Sequence, residues 1–212
     1  YLEDKGFELR VTDRIFETHR YFAGDDEARL AELNQALVEE DTKAIWVARG
    51  GYGSGRLLSG LSFPDTSKAK WLIGFSDVTA MHLYWQSKGV ASIHGANITT
   101  IDMWSDGARN ELWSLLEGDA ELQFTGKVGV GGAAASGPII GGNLTVITSL
   151  LGTGHLPSFA GKIVVLEDIS ERTYRLDRNL FQLKESGVFD GALGVCIGQL
   201  THCESGTDAY SS

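Results

Sequence analysis

The chain has 212 residues, 42% of them hydrophobic, enough for one large domain or two small ones around a real core. It carries 18 basic and 28 acidic side chains, a net charge of −10. That balance argues against nucleic acid or an anionic membrane surface as a principal partner, because both call for clustered Lys and Arg.

In chain order, Tyr1–Gly6 reads as the tail of a helix closed by glycine, and Phe7–Val11 alternates as a strand. The chain opens on Tyr rather than Met, and the fold is expected to be entered after a first strand and most of a first helix. Asp25–Val38 is a helix with Asp25 or Asp26 as cap and Leu30, Leu33, Leu37 and Val38 as its apolar stripe. Ala44–Ala48 is a continuous apolar run, suited to a parallel strand buried on both faces. A glycine-rich loop follows over Arg49–Gly55, and Arg56 opens a short helix. Trp71–Ile73 is a strand, Gly74–Asp77 a sharp turn, 78–88 a helix and Ala91–Gly95 a further strand.

Asn110–Glu117 reads as a helix and Leu122–Phe124 as strand-like. Residues 126–137, rich in Gly, Ala and Ser, form the expected linker. Beyond it come a helix over 143–151, a strand over Lys162–Asp168, a helix over Arg175–Ser186 and a strand over Leu193–Gly198. Strands alternating with helices predict an α/β fold. The expected arrangement is an N-terminal Rossmann-like parallel-sheet domain over 1–125 and a smaller α/β domain over 138–212, incomplete at its end. No run of about 18 apolar residues offers a membrane span. The two cysteines, Cys196 and Cys203, are too few for a disulfide framework or a four-cysteine zinc site, and a reducing compartment is favoured.

Three stretches carry chemistry. The loop Arg49–Gly55 follows a strand, yet its Gly51-x-Gly53-x-Gly55 spacing departs from the dinucleotide and phosphate-loop patterns. It is either a turn that needs positive φ angles or a loop whose amides approach a substrate. Ser76 stands on the strand-to-helix turn, either as a helix cap or as a nucleophile with backbone amides beside it. Glu167 and Asp168 end a strand at the ligand-binding edge of a parallel sheet, or else pair with Arg172, Arg175 or Arg178. The five histidines, His19, His82, His94, His155 and His202, lack metal-site spacing, so no metal or other cofactor is expected.

Taken in order, Ala48-Arg49-Gly50-Gly51-Tyr52-Gly53, Ile73-Gly74-Phe75-Ser76-Asp77-Val78-Thr79-Ala80, Ile93-His94-Gly95, Gly141-Gly142-Asn143-Leu144-Thr145, Leu151-Gly152-Thr153, and Leu166-Glu167-Asp168 with Tyr174–Arg178 resemble the LD-carboxypeptidase family of serine peptidases. That family includes muramoyltetrapeptide carboxypeptidases and microcin-C immunity proteins. The resemblance implies a Ser-Glu-His triad with Ser76 as nucleophile and Glu167 as its carboxylate. The amides of Gly51 and Asp77 form the oxyanion hole, and Arg49, Gly50 and Asn143 contact substrate. None of the five histidines matches the triad position, which is expected beyond Ser212. The implied activity is release of a terminal D-Ala from murein tetrapeptide by a cytoplasmic homodimer. The alternatives are hydrolysis of a peptidyl or aminoacyl nucleotide and a non-catalytic binding module.

Overall fold

A computed structural model describes residues 2–118, 123–131 and 134–203. Two three-stranded parallel sheets carry the fold. The first is β1 (Ala44–Trp46), β2 (Trp71–Gly74) and β3 (Ile93–His94), in that spatial order. The second is β4 (Ile139–Asn143), β5 (Ile163–Ile169) and β6 (Gly194–Thr201), also in chain order. Registers run Ala44 to Trp71 and Ile73 to Ile93 in the first, and Asn143 to Glu167 and Leu166 to Ile197 in the second. The α/β reading holds.

Helices α1 (Asp26–Val38), α2 (Thr79–Ser87), α3 (Asp106–Glu117), α4 (Leu144–Ser149) and α5 (Thr173–Glu185) connect or flank the strands. Asp25 caps α1 by accepting from Ala28 N at 2.8 Å. Leu33 and Leu37 face the core, whereas Val38, predicted for the same stripe, is exposed at the helix end. Helix α3 starts four residues before the predicted Asn110, because Ser105 accepts from Ala108 N and caps it there.

Helix α2 is buried from Thr79 through Trp85. A helix covered on all sides lies inside a fold rather than on it. One apolar cluster accordingly joins Leu37 and Leu72 of the first sheet's layer, Leu83 and Trp85 of α2, and Ile140, Ile147 and Leu166 around the second sheet. Trp85 donates from Nε1 to Lys70 O at 3.2 Å, and Gln86 donates from Nε2 to Ile139 O at 2.6 Å, so polar ties follow the apolar contact on both sides of α2. No helix among the described residues is long and apolar enough to cross a membrane.

Two strand expectations fail. Phe7–Val11 alternates in sequence but joins no ladder among the described residues; Phe7, Leu9 and Val11 are exposed, and Phe7 rests against the Trp113 ring at 5.9 Å. Alternation supplies a two-faced segment, while a strand also needs a neighbour to pair with. Of Leu122–Phe124, Leu122 lies outside the described residues, and Gln123 and Phe124 are unpaired.

Gly141 has φ 143°, and a Cβ there would overlap the Val165 carbonyl on the adjacent strand. Gly141→Ala is therefore expected to combine backbone strain with a clash and to destabilise by roughly 3 kcal/mol or more. Chemical denaturation of the variant beside the parent measures it; a loss below about 1 kcal/mol would contradict this packing.

Candidate functional site

Strand β2 delivers Ser76 to the carboxyl edge of the first sheet. Gly74, its last residue, admits no side chain: a Cβ would sit 2.8 Å from Asn97 Oδ1 and 2.9 Å from Val78 Cγ2. The chain then turns sharply, and Ser76 has φ 66°, a left-handed conformation that costs a residue with a Cβ roughly 1–2 kcal/mol. A short 3₁₀ turn over Ser76–Val78 leads into α2. The Ser76 side chain makes no capping bond and Oγ has no hydrogen-bond partner among the described residues. The helix-cap reading of the sequence is thereby excluded.

Three side chains brace this turn, and sequence reasoning singled out none of them for that part. Asn97, 1% exposed, accepts from Phe75 N at 3.2 Å, and its Nδ2 lies 3.1 Å from where a Cβ of Gly50 would be. His82 is on α2, with Nε2 2.8 Å from Gly74 O and Nδ1 2.8 Å from Ser92 Oγ. The carbonyl needs a donor, so Nε2 carries the proton and Nδ1 accepts from the serine. Burial pushes the imidazole down to about 4, so His82 is neutral at pH 7 and spent on structure. Asp77 accepts from Ser54 N at 2.8 Å through Oδ2, which fastens the glycine loop to the residue after Ser76.

That loop lies directly against the serine. A Cβ on Gly50 would be 3.2 Å from Ser76 Cβ and 3.4 Å from Oγ. Gly51 and Gly53 take φ 130° and 126°, and open space surrounds the position of a Gly51 side chain. The positive-φ reading of this loop holds at Gly51 and Gly53, while Gly50 packs closely between Asn97 and Ser76. Arg49 at the loop's start is exposed and makes no ion pair among the described residues.

The second sheet brings the carboxylates. Asp168 is buried and accepts from Asn143 Nδ2 at 3.0 Å, Thr145 N at 3.0 Å, Thr145 Oγ1 at 2.8 Å and Ile169 N at 2.8 Å. Arg175 pairs with Glu171 instead of either strand-end carboxylate. Glu167 Oε1 is buried without a hydrogen-bond partner among the described residues. Burial, and then the neighbouring Asp168, raise the Glu167 carboxyl above its ordinary value, against a hydrogen bond from Asn143. Asn143, expected to touch substrate, is buried with its amide engaged at both ends, since Oδ1 also accepts from Val146 N at 3.1 Å.

The two edges are joined by one bond. Asn143 N donates to Thr79 Oγ1 at 2.9 Å, and a Cβ on Gly142 would lie 2.5 Å from that hydroxyl. Thr79 sits three residues after Ser76, and Asn143 is the ladder partner of Glu167. No described histidine hydrogen-bonds Ser76 or Glu167; His155 bonds Ser59 at 3.0 Å, on the far side of the glycine loop in sequence. Among the described residues no group of three or more His, Cys, Asp or Glu is placed to hold a metal.

Residues 1–95 match the LD-carboxypeptidase N-terminal domain and 136–212 the LD-carboxypeptidase C-terminal domain. The murein tetrapeptide carboxypeptidase of Pseudomonas aeruginosa is 36% identical over 224 residues, covering 99% of this chain and 73% of that protein. This chain belongs to the LD-carboxypeptidase family. A Bacillus subtilis relative named "probable murein peptide carboxypeptidase" is 32% identical over 212 residues, and the chain spans 66% of its length. Among solved structures, muramoyltetrapeptide carboxypeptidase from Oxalobacter formigenes aligns with a TM-score of 0.80 at 28% identity, over 94% of this chain and 70% of that one. The microcin C7 self immunity protein MccF shares the fold with a TM-score of 0.80 at 21% identity, over 100% of this chain and 73% of its own.

Thr79→Val keeps the shape and removes the acceptor for Asn143 N. It is expected to cost about 1–3 kcal/mol in denaturant unfolding, with Thr79→Ser close to the parent. Equal stability of Val and Ser variants would show that the link carries nothing.

Proposed function

We propose that the protein is a serine-type LD-carboxypeptidase that releases a terminal D-Ala from a murein tetrapeptide, as part of cell-wall recycling. The observation that carries this reading is Ser76: a hydroxyl without a hydrogen-bond partner among the described residues, on a strained turn packed against Gly50 with open space at the next residue, Gly51. Family membership and the names of the relatives supply the substrate class.

In the proposed reaction Ser76 Oγ attacks the carbonyl carbon of the residue before the terminal D-amino acid. The C–N bond breaks as D-Ala leaves with the proton taken from the serine, and water then hydrolyses the acyl-serine ester. The amides of Gly51 and Asp77 hold the oxyanion; one such donor is typically worth about 100- to 1,000-fold in rate. Arg49, a cation without an ion pair among the described residues, receives the terminal carboxylate of the peptide, which accounts for action at the chain end. A serine hydroxyl needs a base to take its proton, and in this reading Glu167 orients an imidazole and does not replace it. The unpartnered Oε1 supports this, because a buried carboxylate oxygen calls for a donor. The imidazole is proposed to come from a histidine outside the described residues. Asn143 acts by setting Glu167 and Asp168. A cytoplasmic homodimer of two units joined through 126–137 belongs to the same proposal.

Ser76→Ala in the intact protein is expected to lower D-Ala release from murein tetrapeptide by about 10,000-fold or more, followed chromatographically. Parent-like turnover would refute the assignment. Glu167→Gln is expected to be nearly inactive yet to gain relative stability with pH. A carboxyl raised in the folded state favours folding below its unfolded pKa and loses that contribution as pH rises through the folded value. The difference in unfolding free energy between variant and parent should therefore move in favour of Gln from pH 4 to pH 7. A difference that stayed flat would mean Glu167 is not raised.

A further inference from the structure

We propose that Tyr21 and Tyr52 form a two-ring platform that binds the sugar ring on the N-terminal side of the peptide. This rests on the murein-peptide reading above. Tyr21 and Tyr52 are 75% and 63% exposed, with ring centroids 6.3 Å apart and planes inclined at 35°. Large aromatic rings presented side by side to solvent are what a ligand with apolar ring faces and a polar rim would use.

Both rings are held outward by rigid backbone. His19 and Phe22 exchange two hydrogen bonds of 3.0 Å across a tight turn, and Arg20 within it takes φ 58°. Phe22 turns inward as the floor, 5.8 Å from Tyr52 and 4.4 Å from Tyr21. Gly53 seats the glycine loop on that floor: a Cβ there would be 2.9 Å from Phe22 Cε1. The Ser54–Asp77 bond then ties the same loop to the Ser76 turn. The platform is thus built into the wall that flanks the proposed nucleophile.

Reach selects the occupant. Tyr52 is two residues from Gly50, which abuts Ser76, so its backbone lies within about 7 Å of that contact and its ring extends farther. A tetrapeptide cut at its last bond places three residues, about 10 Å extended, between that bond and whatever its N-terminus carries. In a murein peptide that group is an amino sugar. The guanidinium groups of Arg29 and Arg56 lie over the Phe22 ring at 4.8 and 5.3 Å, and both are ion-paired with Asp26. The two guanidinium groups share the one carboxylate of Asp26, so one net positive charge stays beneath the rings, and a phosphate-bearing ligand is the competing occupant that the test must separate from the sugar.

The test compares free tetrapeptide with the same peptide carried on N-acetylmuramic acid, using the intact protein. Tyr21→Ala is expected to raise KM about tenfold for the sugar-bearing substrate, with kcat unchanged and both constants unchanged for the free peptide. Tyr21→Phe and Tyr52→Phe should keep the sugar preference, since the ring face is what binds. Equal losses on both substrates, or no loss on either, would overturn the platform. If the parent hydrolyses neither substrate, the hydrolase reading falls, and calorimetric titration of both compounds decides the platform alone. Tighter binding of the sugar-bearing peptide that Tyr21→Ala removes upholds it; equal binding of the two compounds overturns it. Tyrosine-dependent binding of adenosine monophosphate in preference to the sugar would overturn the choice of occupant.

Discussion

One residue in a conformation it does not prefer organises this structure. Ser76 sits at φ 66°, and nothing in its own chemistry favours that. The surroundings impose it: Gly74 lets β2 end against Asn97 and Val78, Asn97 takes the Phe75 amide, and His82 and Gly95 N both bond the Gly74 carbonyl. Backbone strain persists only where neighbours over-determine it, and such places concentrate at sites of chemistry. The strain is local and modest. The bracing is buried and polar, so it is stiff, because breaking any one bond leaves an unsatisfied group in the interior.

The second sheet depends on the same turn. Helix α2 leaves Ser76 and is immediately enclosed by apolar residues from both sheets, which positions the layers but allows them to slide. Directionality comes from the Thr79–Asn143 bond and from Gly142, which lets β4 approach the threonine hydroxyl. Asn143 then passes the constraint to Asp168 through its amide and to Glu167 through the strand ladder. Serine and carboxylate edges are coupled by this short chain of contacts. The Glu167 carboxyl faces the opposite situation, with burial and a neighbouring charge against its ionised form and its Oε1 unpartnered among the described residues.

The alternation of strands and helices was legible because strands of a parallel sheet read as apolar runs, as at Ala44–Trp46 and Ile163–Leu166. Strand β1 is nevertheless not buried on both faces as its run suggests: Ala44 is exposed and Ile45 and Trp46 are half-buried. Ser76, the glycine loop and Glu167 were legible because their requirements are local: a turn, positive φ angles and a strand end. Asn97 and Thr79 were not, since each looks like an ordinary polar residue until the tertiary structure supplies its partner. A buried Asn just past a strand end was the available signal for Asn97. Tyr21 and Tyr52 are 31 residues apart in sequence, and only the packing of Gly53 on Phe22 makes them neighbours. Phe7–Val11 misled for the complementary reason: its pattern was local and its pairing was not.

The central claim is that the left-handed turn is maintained for the hydroxyl it presents. Ser76→Gly separates the two, because glycine adopts this φ without the steric cost and lacks the hydroxyl. Unfolding free energy and D-Ala release, measured together on the intact protein, test it most directly. The variant is expected to be about 1 kcal/mol more stable than the parent and at least 1,000-fold less active. A variant that keeps parent-like turnover would contradict it.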